Sequence, residues 1–546
     1  MIGQNYISRT NKHLDWTWTT TILVLVLLLS VPILTILFKL FEGPGESWGH
    51  IVEHLLADYI LNSVFLVIVS GSLALVLGIV PAWILSRYEL PFRGVLEWAL
   101  ILPLAIPNYL TAYAYAGFFD YNGPFQTFVV WITGVPGAGK LNMMDIWGLA
   151  FILAVSLYPY VYVTTRSFFV NQSGAEINSA ILLGTKEYSI FWRVALPMAR
   201  PAVAGGLFLV LMEVLNDYGA AYYYGVSTFT TAIFRSWFAL EEPDTSVYLA
   251  ALLCLFVFGL VLLEKYQRRR KGYQFRSGDT QMVRLQPARS RQYVLLLACM
   301  IPLILGFLIP LFQMSYWAIL NAGSMNKSGM WSMIGYSFLL ASLTALACIA
   351  ISYLLIYGSR WSKSRNVSRS SRVAVLGYAV PGVVIAVGVL IPGLAFDKWL
   401  VNFARDQFGW SMGFIINGTI VGLLFAYCIR FLAVSYNPIE ANIKKLGPSV
   451  GQASQILGAS KWRRTIQVNL PLLNKGLLSG AILVFVDVMK ELPLTLLLKP
   501  YGVMTLATKA YEYASDERIA ESAFPSLIII AVGVIPIIFL NKLIRK

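Results

Sequence analysis

Charge is what this sequence lacks most: only 13% of its 546 residues are Asp, Glu, Lys or Arg, against roughly 25% in soluble chains. A soluble enzyme and a disordered scaffold are both excluded on that ground. Cysteine is also sparse. Cys254, Cys299, Cys348 and Cys428 each sit in an apolar stretch without C-x-x-C spacing, which excludes a disulfide-stapled secreted domain and reads as small core residues. Histidine occurs three times, at His13, His50 and His54. His50-Ile-Val-Glu53-His54 fits the inverted zinc-protease pattern H-x-x-E-H, yet His13 is expected on the opposite membrane face, so a membrane metalloenzyme fails for want of ligands. No complete phosphate-binding loop is present. Gly134 to Lys140 fits G-x-x-x-x-G-K, but Leu141 stands where a Ser or Thr would hold magnesium, and the segment reads as a turn-rich loop.

What the sequence has instead is apolar length. It is 58% hydrophobic with a mean hydropathy of +0.68, and a helix crosses the hydrocarbon core in about 20 apolar residues. Uncharged, mostly apolar runs cover Trp16–Phe38, Tyr59–Ser86, Trp98–Phe119, Ile146–Thr165 and Thr245–Leu263. Five more cover Gln292–Asn326, Ser328–Ser359, Val373–Phe396, Gln407–Ile429 and Ser522–Asn541. Two further segments, 200–218 and 475–498, carry acids near their ends and complete twelve expected spans. Tyr121–Gly139 is uncharged but contains Pro124, Pro136 and four glycines, and is expected to be a loop. The first run is too long for a signal-peptide core and lacks an A-x-A site, so it is expected to be an anchor.

The net charge of +15 suggests nucleic acid until it is placed along the chain. One alternating set of loops (1–15, 87–97, 166–200, 264–291, 360–372, 430–475 and 542–546) holds 32 of the 42 Lys and Arg but 8 of the 27 acids. The positive-inside rule therefore places both termini in the cytoplasm, and no nucleic-acid partner is needed.

An internal repeat runs at one offset of 274 residues. It maps Ser63 onto Ser337, Pro107 onto Pro381, Gly184 onto Gly458, Leu196-Pro197 onto Leu470-Pro471, Gly206 onto Gly480, Glu213 onto Asp487 and Asp217 onto Glu491. Six spans per half give both halves the same orientation, a parallel-repeat transporter layout. The expected division is a first repeat at 1–264 (core about 58–264), a basic cytoplasmic linker at 265–291 that suits a lipid surface, and a second repeat at 292–546 (core about 332–542). The fold class is an all-α polytopic membrane protein of about 12 transmembrane helices in two parallel six-helix repeats.

The long basic loop after the fourth span of each half carries a second signal. Asn178-Ser179-Ala180-Ile-Leu-Leu-Gly184 precedes Leu196-Pro197, and Gln452-Ala453-Ser454-Gln-Ile-Leu-Gly458 precedes Leu470-Pro471. The pattern predicts a short apolar helix able to dock in a groove, a sharp turn at glycine, and a second helix closed by proline before the next span. Glu213 and Asp217, like Asp487 and Glu491, are spaced i, i+4 and are expected to share one helix face. Ionisable groups inside a span usually face a watery path, so these four are candidate pathway residues for a hard cation, with Tyr218 and Tyr222–Tyr224 as further oxygen donors. Placement at the outer interface, or neutralisation by Lys490, is the competing account.

These loops resemble the E-A-A-x-x-x-G…L-P segment of type I ABC importer permeases (the MetI-like fold), and the resemblance covers essentially the whole chain. Asn178-Ser179-Ala180 and Gln452-Ala453-Ser454 depart from E-A-A. The resemblance implies that Asn178, Ala180, Gly184, Leu196, Pro197, Gln452, Ala453, Gly458, Leu470 and Pro471 couple to an ATPase. It narrows further at Asp217-Tyr-Gly219, at the run Thr228 to Phe238, at Lys490 to Pro500, at Thr505 to Lys509 and at Ala514 to Arg518, which look like the fused two-repeat ferric iron permeases. A non-enzymatic inner-membrane subunit is implied. It would have two ATPase partners that use ATP and magnesium, a periplasmic binding protein that delivers ferric iron, and no cofactor or tightly bound metal of its own. Relatives of similar layout carry thiamine or other small solutes. A 6+6 secondary transporter is the alternative from another mechanistic class, and it lacks such paired loops.

Overall fold

The computed structural model describes residues 3–135, 141–172, 174–269, 283–323, 329–362, 365–446, 449–460 and 463–545. Among these the chain is helical throughout, and its one extended pairing is an isolated bridge between Tyr88 and Leu285. Ten helices are long and apolar enough to cross a membrane, and two bent pairs raise the number to 12 if each is one span. The bent pairs are Arg93–Ala105 with Asn108–Thr133 at 93° and Arg464–Leu472 with Asn474–Met489 at 71°. Residues 270–282 of the 265–291 linker lie outside the described residues, as do 136–140 of the G-x-x-x-x-G-K segment.

The expected straight helix over Trp98–Phe119 is broken. A 3-10 turn, Leu102–Ala105, ends before Pro107, which is extended (ψ 145°) and starts the helix Asn108–Phe119. Pro381 does the same (ψ 142°) between Val375–Ala379 and the helix Gly382–Phe408. A proline lacks the N–H that a helix interior needs, so it is tolerated at a helix start. The expected loop at Tyr121–Gly139 is corrected on the same ground. Pro124 opens a ten-residue helix, Pro124–Thr133, and Gly134 closes it in the left-handed region.

Three prolines are preceded by a widened helical turn, and at two of them, Pro197 and Pro310, the helix runs on. Pro197, Pro310 and Pro471 each follow a π-turn, at Phe191–Ala195, Ile304–Leu308 and Arg464–Asn469. The wider i→i+5 turn moves the upstream carbonyl off the pyrrolidine ring and spares the missing N–H. Pro197 therefore does not close a helix, as the sequence suggested; Glu187–Asn216 is one continuous 30-residue span. In the second repeat the break falls at Leu473, two residues after Pro471.

The chain packs as two compact units that do not follow the halves 1–264 and 292–546. One unit comprises Met1–Pro44 with Asn326–Thr508, and the other Gly45–Met325 with Lys509–Lys546. In the first unit, helix Gly3–Lys39 lies on Met330–Ser362 and Gly382–Phe408. The contacts are tight enough to require glycine: a Cβ on Gly388 would lie 2.6 Å from the Pro32 carbonyl oxygen. In the second unit, the helix Ala523–Arg545 packs on the turn Leu102–Ala105, and the hydroxyl of Tyr115 donates to the Leu305 carbonyl at 2.7 Å. The repeat offset holds in the packing. Gly206 abuts Val161 in one unit, and Gly480 abuts Ser435 in the other.

Candidate functional site

The two glycine loops have the same backbone geometry. Helix Gly174–Leu182 ends at Gly184 (φ 76°), where Gly184 N–H donates to the Ile181 carbonyl at 2.9 Å and Thr185 N–H to the Ala180 carbonyl at 3.1 Å. Helix Ser449–Ile456 ends at Gly458 (φ 76°), with Gly458 N–H to Gln455 and Ala459 N–H to Ser454, both at 3.0 Å. This is the glycine C-cap that satisfies the last helix carbonyls by a 6→1 bond. Each turn carries two bare aliphatic side chains. Leu182 and Leu183 are 87% and 83% exposed; Ile456 and Leu457, at the 274-residue offset, are 86% and 85% exposed.

The candidate coupling residues differ in their surroundings. Ala180 is buried, Leu196 and Pro197 are half-buried, and Ala453, Leu470 and Pro471 are exposed. The Asn178 side chain accepts from the Val283 N–H at 3.2 Å and so holds the end of the linker. The side chain of Gln452 lies outside the described residues. Sequence reasoning missed the clamp behind the first turn. Arg87, buried at the end of the span Leu56–Arg87, pairs with Glu187 through Nε–Oε1 at 2.7 Å and Nη2–Oε2 at 3.1 Å. Such a bidentate pair fixes orientation as well as distance. The positions 274 residues on are Trp361 and Lys461, so the clamp belongs to the first repeat. A lone arginine closing an apolar run was the available signal.

The acids do not share helix faces. Helix Leu196–Asn216 ends before Asp217 (ψ 127°), and helix Asn474–Met489 ends before Glu491. Each second acid instead caps a following short helix. Asp217 Oδ1 accepts from Ala220 and Ala221 N–H at 3.1 Å, and Glu491 Oε1 accepts from Leu494 N–H at 3.2 Å. Glu213 is half-buried on its helix. The neutralisation weighed for the second pair is present. Asp487 pairs with Lys490 at 2.8 Å, and Glu491 pairs with buried Arg430, Nε to Oε2, at 3.2 Å. Arg430 begins immediately after the uncharged run Gln407–Ile429, so its partner was not legible from spacing.

A threonine box follows in each repeat. Thr228 N–H donates to Thr231 Oγ1 at 2.7 Å and Thr505 N–H to Thr508 Oγ1 at 3.0 Å. The next N–H, of Phe229 or Leu506, reaches Ser63 Oγ at 3.4 Å or Ser337 Oγ at 2.8 Å.

His50 and His54 lie on a seven-residue helix, Trp48–His54, with rings 4.8 Å apart. Among the described residues no group of three or more His, Cys, Asp or Glu is placed to hold a metal.

Comparison with known proteins agrees with this architecture. The sequence profile described as "Binding-protein-dependent transport system inner membrane component" matches residues 74–264 and again 358–546. The chain is 24% identical over 524 residues to an Fe(3+)-transport system permease protein, FbpB 2, of Haemophilus influenzae, covering 94% of this chain and 96% of that one. It is 22% identical over 453 residues to a probable ABC transporter permease protein, y4fN, of Sinorhizobium fredii, covering 80% and 78%. It is 26% identical over 261 residues to the sulfate transport system permease protein CysT of Escherichia coli, covering 45% and 90%.

Proposed function

The chain belongs to the family of binding-protein-dependent transport system inner membrane components, and on that premise we propose that it is the whole membrane pathway of an ABC importer for ferric iron. Both half-permeases reside in one polypeptide, because the family match occurs twice. The reading of iron rests on one observation: the relative matched through both repeats, over 94% of this chain, is an Fe(3+)-transport permease, whereas the sulfate permease CysT has the length of one repeat and is matched over 90% of it.

The coupling role rests on the paired turns. Two solvent-facing aliphatic pairs, Leu182–Leu183 and Ile456–Leu457, stand at equivalent positions on glycine-capped helices. Repeated apolar tips of this kind suit grooves on two copies of an ATPase subunit. In this reading Asn178, Ala180, Gly184, Leu196 and Pro197 form the first coupling segment, and Gln452, Ala453, Gly458, Leu470 and Pro471 the second. Closure of the ATPase pair on ATP and magnesium moves both segments and opens the pathway outward, where a periplasmic binding protein delivers its cargo. Reopening releases the cargo inside. Glu213 and Asp217 are the acids assigned to the pathway region, and Asp487 and Glu491, paired with Lys490 and Arg430, are their counterparts in the second repeat. Both termini and the basic loops face the cytoplasm, as the charge bias indicates.

The test is ATP-dependent uptake of labelled ferric iron by vesicles that hold the permease, its ATPase and the loaded binding protein. Uptake that disappears without the permease supports the assignment. ATPase stimulation without iron uptake keeps the importer and moves the cargo to thiamine, an oxyanion or another small solute. Absence of both from an assembled complex ends the importer reading.

A further inference from the structure

The two repeats build the same helix break and fill it with opposite chemistry. In the second repeat the capping acid, Glu491, is matched by the Arg430 guanidinium, and Gly382 leaves room for the pair: a Cβ there would lie 2.8 Å from Glu491 Oε1 and 2.9 Å from Arg430 Nη1. In the first repeat the position equivalent to Gly382 is Asn108, whose amide hydrogen-bonds Asp217. The position equivalent to Arg430 is Ser156. No lysine or arginine forms an ion pair with Asp217 among the described residues.

A cluster of phenols begins at the next residue, Tyr218. Tyr218 and Tyr511 hydroxyls lie 2.9 Å apart. Tyr511 is also in hydrogen-bond contact with Tyr222, whose ring is half exposed. Tyr113 is fully buried within electrostatic reach of Asp217 and Tyr511, and its hydroxyl has no hydrogen-bond partner. Burying a hydroxyl without a partner is unfavourable. The fold does not require this cluster. At the 274-residue offset Tyr113, Tyr218 and Tyr222 become Val387, Leu492 and Leu496, and the second repeat makes the same break with them.

We propose that Asp217 with the phenol oxygens of Tyr218, Tyr222, Tyr511 and Tyr113, steadied by Asn108, is a one-sided transit site for a hard trivalent cation, Fe(III), and that the matching region of the second repeat is structural. This deepens the assignment of iron as cargo and rests on it. Glu213 also lies within electrostatic reach of Asp217, so carboxylates and phenols that ionise on binding can together match three positive charges, as a low-dielectric site demands, and hard oxygen donors suit Fe(III). Each phenol that bonds the metal gives its proton to water, so no oxidant or reductant is involved.

The test uses the assembled permease–ATPase complex with ferric nitrilotriacetate as probe, followed by vesicle uptake. Wild type is expected to give a visible phenolate-to-iron charge-transfer band, lost in Tyr218→Phe/Tyr511→Phe and in Asp217→Asn but kept in Tyr501→Phe, which alters a fully exposed tyrosine. The double Phe variant removes both partners of the Tyr218–Tyr511 bond, and Tyr222, half exposed, can turn to water, so folding should survive. KM for iron uptake should rise about tenfold in it, with ATPase stimulation by the loaded binding protein retained. Iron uptake by wild type without the band, or a band and KM unchanged in the double variant, overturns this site and leaves the importer standing. A wild-type complex that couples ATPase to delivery of another solute and carries no iron overturns the cargo, and this site with it.

Discussion

Gly382 shows how one missing side chain can be decided by a charge pair. Its Cβ position is occupied by Glu491 and Arg430, both 6% exposed. Breaking a buried pair by neutralising one partner typically costs about 3–5 kcal/mol, because the other charge stays buried and uncompensated. Glu491→Gln keeps an oxygen for the Leu494 N–H and isolates the charge. It is expected to lower the melting temperature of the purified protein, and Arg430→Met/Glu491→Leu should recover most of the loss. An unchanged melting temperature in Glu491→Gln would falsify the structural role given to the pair. Spacing alone made Glu491 and Asp217 equivalent; only the tertiary partner separates them.

Among the elements, the glycine turns were the most legible. Gly184 and Gly458 are spaced identically before Leu-Pro, and both adopt φ 76° with nothing within 4 Å of where a Cβ would stand. A side chain there meets no neighbour, so the penalty lies in the backbone, about 1–2 kcal/mol for the left-handed region. Gly458→Leu is expected to leave membrane insertion intact and to uncouple ATPase stimulation from transport. Gly458→Asn, which tolerates that conformation, should retain most of the coupling. Wild-type uptake and stimulation in Gly458→Leu would remove the second coupling segment from the mechanism. The prolines were misread at this scale because helix continuation through Pro197 depends on the π-turn Phe191–Ala195, a backbone register that residue identity does not announce. Pro124 was misread for the complementary reason: at a first helical position proline starts a helix.

For the whole molecule, each compact unit draws helices from both halves of the sequence. Residues 1–44 join 326–508, and 45–325 join 509–546. Fragments 1–275 and 276–546 should therefore resist protease only when co-expressed, since each alone lacks helices that its packing needs. A fragment 276–546 as resistant by itself as the intact chain would show that helix Gly3–Lys39 adds little to its unit. The close approach of Gly388 to the Pro32 backbone argues otherwise.

The sequence by itself determined the solvent, ten to twelve candidate spans, the repeat and its offset, and the positions of the two glycine turns. Each of these follows from composition and local backbone preference, which act over a few residues or through simple counting. Tertiary structure alone decided which helices share a unit, which acid keeps an unneutralised carboxylate, and where the phenols of Tyr218 and Tyr511 meet. Those outcomes depend on side chains hundreds of residues apart coming within a few ångströms, and neither hydropathy nor spacing carries that information.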